Sequence, residues 1–173
     1  MTRRTNFGAM ECPVARSLEC VGEWWSILIL RDAFQGLTKF DEFEKSLGIA
    51  PNMLTRRLKH LTANGMLKTR LYSKRPPRHE YLLTQKSRDF FPVLVALLGW
   101  ANKHLASRGV SLQLADRDSL ATFEPIVVND QGNPVSLSNI VLLPGVAASA
   151  EMHRRLETVK ALRPERSQKR TSV

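Results

Sequence analysis

The residues best equipped for chemistry lie in the stretch PNMLTRRLKHLTAN (51–64). At 100° per residue, Leu54, Leu58 and Leu61 fall on one side of a helix. Asn52, Arg56, Lys59 and Ala63 fall on the other, with Thr55 and His60 at the edges. Such side chains bond to phosphates and base edges, and an arginine can grip a guanine at two points. Arg57 lies nearer the apolar side, within reach of a phosphate or a neighbouring acid. A second basic group, Lys74, Arg75 and Arg78, surrounds a Pro-Pro pair in YSKRPPRHEYLLT (72–84). From Lys45 to His79 there are nine Lys or Arg and no Asp or Glu. A solvated face normally mixes both signs, so this block is read as a contact surface for a polyanion.

Other chemistries find little material. The four histidines (60, 79, 104, 153) lack metal-ligand spacing, and there is no Gly-rich phosphate loop or nucleophile elbow. No catalytic set, cofactor or metal is expected, and the chain is not read as an enzyme. Cys12 and Cys20 do not make a disulfide framework, so a reducing cytoplasm fits best. Cys12 precedes Pro13 and so stands at a helix N-terminus, where the dipole favours a thiolate. It is the candidate redox sensor, although Glu11 opposes the thiolate and a small buried cysteine is the simpler reading. Eight helical residues separate the two cysteines by roughly 12 Å. That is too far for a bridge within the chain, so sensing would use an adduct or an intersubunit disulfide.

The elements that position these residues follow from patterning. Pro13 opens a short helix over 13–20, and WWSILILRDAF (24–34) reads as a buried helix. FDEFEKSL (40–47) carries Phe40, Phe43 and Leu47 on one face, and Gly48 stops it. The basic helix follows after a turn of about four residues and ends at Gly65, which is the helix-turn-helix pattern. MLKTRLY (66–72) and HEYLLT (79–84) read as two strands with SKRPPR as the hairpin tip. A proline-rich docking peptide or a localisation signal would use the same residues, but the flanking strands fix them as a turn. The stretch 85–106 reads as one helix, apolar on more faces than a small domain can cover, so the surplus is assigned to a second subunit. Beyond it, 107–119 reads as irregular, FEPIVV (123–128) and NIVLL (139–143) as strands, and 147–162 as an amphipathic helix. The last residues are expected to be disordered.

The net charge of +10 over 173 residues points to nucleic acid or an anionic membrane. The longest apolar run, FFPVLVALLGWA (90–101), is too short to span a bilayer, and no secretory signal follows MTRRTNFGAM. Lipid binding lacks its apolar stripe, and RNA binding lacks an interleaved aromatic platform. Duplex DNA is the expected partner.

Several segments together resemble the HxlR-type bacterial transcription regulators, relatives of the MarR group. They are CPVARSLECVGEWWSILILRDAFQG (12–36), KFDEF (39–43), LTRRLKHLTANGML (54–67) and PPRHEYLLT (76–84), with the Trp100 helix after them. The resemblance implies a cytoplasmic homodimer on a near-palindromic site, with Cys12 where several members sense oxidants. Lys39 stands where the family usually has Arg, so a forked phosphate contact becomes a point charge. Glu23 replaces a usual basic residue. Longer members often carry cysteine pairs in a C-terminal extension, and 120–157 has none, so no metal site is expected there.

The expected fold is α+β, mainly α: a winged helix-turn-helix DNA-binding and dimerisation domain over 8–106 with a long dimerisation helix. A C-terminal extension over 107–162 adds a small β-hairpin and a helix, and 163–173 is a disordered tail. The expected DNA-binding residues are Lys39, Asn52, Thr55, Arg56, Arg57, Lys59, His60, Lys74, Arg75 and Arg78. The expected function is a repressor on an inverted-repeat operator, relieved by a small molecule or an oxidant. The competing reading is an architectural or RNA-associated protein without a switch.

Overall fold

The computed structural model describes residues 7–168 and divides the chain into two compact units, meeting between Ile126 and Val127. The sequence reading put the boundary at 106/107, where the composition shifts. In the first unit, Pro13 at the first turn opens α1 (Pro13–Val21), and α2 (Trp24–Phe34) follows directly. α3 (Phe40–Leu47) ends at Gly48, whose φ of 59° requires the left-handed conformation that glycine tolerates. α4 (Pro51–Ala63) begins on Pro51, where the missing N–H costs nothing. These helices form at nearly the residues their patterning indicates, because each has one stripe to bury.

That stripe builds the core. Ile29 and Leu30 of α2, Phe43 of α3 and Leu54, Leu58 and Leu61 of α4 are all fully buried. Met66 and Leu67 close the core from the start of the hairpin, and Tyr81 and Leu83 pack against it from the returning strand. The hairpin pairs β1 (Leu67–Lys74) with β2 (Pro77–Leu83), in register from Leu67 opposite Leu83 to Lys74 opposite Pro77. Arg75 and Pro76 make its tip. Tyr72 is an extra residue between Leu71 and Ser73, a bulge that re-aims its side chain. The Tyr81 N–H donates to the Thr38 carbonyl at 2.7 Å, and Lys39 bridges to Glu80, so the segment before α3 forms a third edge of the wing.

The stretch 85–106 is two helices. α5 (Gln85–Arg88) is a single turn capped by Thr84, whose hydroxyl accepts from the Ser87 N–H. α6 (Phe91–His104) starts afresh because Pro92 has no N–H to continue the ladder and its ring would clash with the Arg88 carbonyl. Asn102 Nδ2 donates to the Leu112 carbonyl at 2.9 Å, which fastens the segment after α6 against it.

The small second hairpin exists, but not where the sequence placed it. β3 (Leu114–Ala115) pairs with β4 (Thr122–Phe123), joined by a turn built on Asp116. The Asp116 carboxylate accepts from the Ser119 N–H, the Ser119 hydroxyl and the Asp118 N–H, which hold it below the usual carboxylate range.

In the second unit, Asn129 Oδ1 collects the N–H groups of Gln131 and Asn133 and closes the turn within five residues. Val128 therefore faces Pro134, and 139–143 is left without a strand partner. Instead Ile140, Val141 and Leu142 border a recess of about 270 Å³ with Leu156 and Val159 of the last helix, α7 (Ala150–Gln168). Ser149 caps α7 by accepting the Met152 N–H. The helix continues past 163, where a disordered tail was expected; residues 169–173 lie outside the described residues. Among the described residues no helix is long and apolar enough to cross a membrane.

Candidate nucleic-acid interface

With Leu54, Leu58 and Leu61 fully buried, the opposite face of α4 must point outward. Asn52, Thr55, Arg56 and Lys59 are all exposed along it. Arg56 makes one weak contact, from Nη2 to the Met53 sulfur at 3.5 Å, and so keeps its fork of donors available. The turn before α4 is held by Gly48 and by buried Ile49. At the far end, Gly65 (φ 69°) ends the helix, and the Thr84 hydroxyl donates to the Gly65 carbonyl at 2.6 Å. That bond ties the end of the helix to the base of the wing.

Two residues assigned to DNA face inward instead. Arg57 is 6% exposed, and its Nη2 lies 2.9 Å from Glu23 Oε2. Of its two expected partners, phosphate or acid, it takes the acid. At 100° per residue Arg57 lies about 40° from Leu61 and about 60° from Leu54, at the edge of the buried stripe, so its long stem is drawn toward the core. His60 Nε2 lies 3.0 Å from the Glu19 carbonyl oxygen, with Asn64 beside the ring. It bonds to α1 and is half-buried. The sequence missed the Glu23–Arg57 pair because the two residues are 34 positions apart; the acidic Glu23 in a basic neighbourhood was the available signal.

The wing carries Lys74, Arg75 and Arg78 exposed at and beside its tip. Arg70 is spent within the hairpin: its Nε lies 2.6 Å from Glu80 Oε1, and that bond raises the guanidinium pKa. Lys39 sits at the foot of the wing, with its ammonium 3.7 Å from Glu42 and 5.6 Å from the centre of the Tyr72 ring. Glu42 Oε2 also accepts the N–H groups of Thr38 and Lys39, both at 2.9 Å, and these bonds hold its carboxyl below the usual value. Tyr72 is exposed and provides the surface under Lys39. Tyr81 is half-buried, and burial raises its phenol pKa.

Away from this face, an open apolar groove of about 610 Å³ runs between α2 and α6, with the Phe34 and Phe91 rings 5.1 Å apart and tilted by 47° in its wall. Cys12 is half-buried at the N-cap of α1, and Cys20 lies near the end of that helix, 4.0 Å from the Lys86 ammonium.

A leucine-backed helix exposing base-reading side chains, beside a two-stranded basic wing, defines a winged helix-turn-helix DNA-binding protein. Residues 20–108 match the HxlR-like helix-turn-helix family, and the chain belongs to that family of transcriptional regulators. It is similar to the uncharacterised HTH-type transcriptional regulator Rv3095 of Mycobacterium tuberculosis, with 34% identity over 141 residues. That match covers 80% of this chain and 89% of the relative. Among solved structures it resembles PA1607, a candidate transcription factor, at 37% identity and a TM-score of 0.74, over 82% of this chain and all of the other. It also resembles PA1374 of Pseudomonas aeruginosa, another candidate transcription factor. Identity there is 51% and the TM-score 0.62, over 83% of this chain and 99% of the other.

Proposed function

We propose that the chain is a homodimeric repressor that binds an inverted-repeat operator in duplex DNA. The observation that carries this is the exposed row of Asn52, Thr55, Arg56 and Lys59 on a helix locked by three fully buried leucines. These residues read base edges in the major groove, and Lys74, Arg75, Arg78 and Lys39 hold the backbone around it. Dimerisation is supported by α6, which has no buried residue although most of its side chains are apolar. Phe91, Val93, Leu97 and Trp100 are 44–57% exposed, and α1 exposes Val14 and Leu18. Surfaces of this kind are covered in the functional state, and a two-fold dimer matches the symmetry of a palindromic site. The domain that does this spans 8–106, and the rest is an extension of it.

Two routes to release fit this reading: a small apolar effector at the α2–α6 groove, whose wall shares Phe91 and Leu97 with the dimer surface and so couples occupancy to subunit packing, or thiol chemistry at Cys12. Either acts in the cytoplasm by changing the spacing of the two recognition helices.

The test is selection of bound fragments from genomic DNA, followed by competition against random duplex at physiological salt. An operator preferred by about three decades or more supports the proposal. Equal affinity for both sinks it in favour of the architectural or RNA-associated reading. Repeating the binding with diamide on the wild type and Cys12→Ser assigns any oxidative release to, or away from, Cys12.

A further inference from the structure

The outer face of α4 can read DNA only if its inner flank is held still, and that flank carries two polar contacts with the α1–α2 junction. Arg57 is nearly buried, with its guanidinium 2.9 Å from the Glu23 carboxylate, and His60 lies 3.0 Å from the Glu19 carbonyl one turn further along. Glu23 occupies the position before α2, immediately after Gly22. A Cβ on Gly22 would lie 2.4 Å from the Leu18 carbonyl oxygen, so the backbone passes too closely there for any other residue and Glu23 is presented in a fixed place. A buried guanidinium that loses its carboxylate has to find another partner or move outward. Because Leu54 and Leu61, its neighbours in angle, are fully buried, an outward movement of that guanidinium pulls on α4.

We propose that Glu23 and Arg57 are positioning residues for DNA recognition: a clasp that sets the angle of α4 and controls operator affinity without touching DNA. The inference rests on the DNA-reading role of α4 given above. It makes two predictions that direct contact would not. Removing the negative charge of Glu23 should weaken operator binding, although on simple electrostatics it should strengthen it. Altering Arg57 should leave the salt dependence unchanged, whereas a lost phosphate contact lowers the log–log slope by about 0.9.

The experiment uses the full chain and the operator recovered by selection, with affinity measured from low to high salt for Glu23→Gln, Arg57→Gln and the exchange Glu23→Arg/Arg57→Glu. Glu23→Gln is expected to weaken operator binding by about tenfold, with unchanged salt slope and unchanged affinity for random duplex. The exchange is expected to recover at least part of that loss. Operator binding by Glu23→Gln that is equal to or tighter than wild type overturns the proposal, as does a fall of about 1.8 in the slope for Arg57→Gln, one lost phosphate contact in each subunit. If the exchanged protein does not fold by circular dichroism, Glu23→Gln decides alone, since Glu23 is 43% exposed and its loss spares the core. Wild type without operator preference is a different result: it refutes the DNA-reading role itself, before the clasp is reached.

Discussion

Arg56→Ala separates base reading from simple attraction. The Arg56 side chain is exposed and makes one weak contact, to the Met53 sulfur at 3.5 Å, so little of the fold depends on it. Surface substitutions of this kind move stability by less than about 0.5 kcal/mol, and Ala is the better helix former. The loss therefore falls on the complex. A bidentate arginine–guanine pair contributes about 1–3 kcal/mol of discrimination, roughly 5- to 150-fold in affinity. The assay is competition between the selected operator and a panel in which each base pair is changed in turn. Wild type should show a penalty of that size at one position in each half-site. Arg56→Ala should lose the penalty there and keep it elsewhere. Lys74→Ala serves as the contrast, weakening every sequence alike and lowering the salt slope by about 1.8 for the dimer, about 0.9 for each subunit's lost contact. If Arg56→Ala behaves like Lys74→Ala, Arg56 is a phosphate contact and the assignment of the reading face is wrong.

Other perturbations probe the frame. Leu58→Ala empties a fully buried site between α4 and the rest of the core and should cost about 2–5 kcal/mol in urea unfolding; less than about 1 kcal/mol would mean the site collapses around the smaller side chain. In Gly99→Ala the new methyl would lie 2.4 Å from Pro125 Cγ, so the segment after β4 must lift from α6. Faster proteolysis within 106–126 and a loss of about 1–3 kcal/mol are expected, and an unchanged digestion pattern would refute the close packing. Glu42 has a folded pKa below its ordinary 4.5, so its contribution is complete above that value and disappears as pH falls through the folded pKa. Glu42→Gln should therefore destabilise at neutral pH and converge with wild type in acid, and a constant difference across that range would contradict the capping role.

Much of the first unit was legible because its signals are local. α2 follows from the length of its apolar segment and the breaker Gly36, α3 from apolar spacing, and the Gly48 and Gly65 stops from the one residue type that enters the left-handed region cheaply. Asn52, Thr55, Arg56 and Lys59 were readable as one face because 100° per residue is fixed by helix geometry. Legibility failed where two signals competed. NIVLL has the composition of a strand, but the Asn129-centred turn closes too tightly to deliver it a partner. The single helix expected over 85–106 breaks because the Pro92 ring cannot continue a helix that begins at Gln85.

The sequence by itself determined the class of the protein: an amphipathic basic helix, a turn at the correct spacing before it and a basic hairpin after it. These follow from periodicities and conformational limits that each residue carries with it. Tertiary structure alone decided which of the charges remain available. Arg56 and Arg57 are adjacent and chemically identical, but one faces solvent and the other is buried against Glu23, 34 residues away. Arg70 is likewise taken by Glu80 across the hairpin, while Arg75 and Arg78 at its tip stay exposed. A charge becomes a DNA contact or an internal tie according to whether folding brings a carboxylate within about 3 Å of it, and that distance is set by the packing of distant segments rather than by any local pattern.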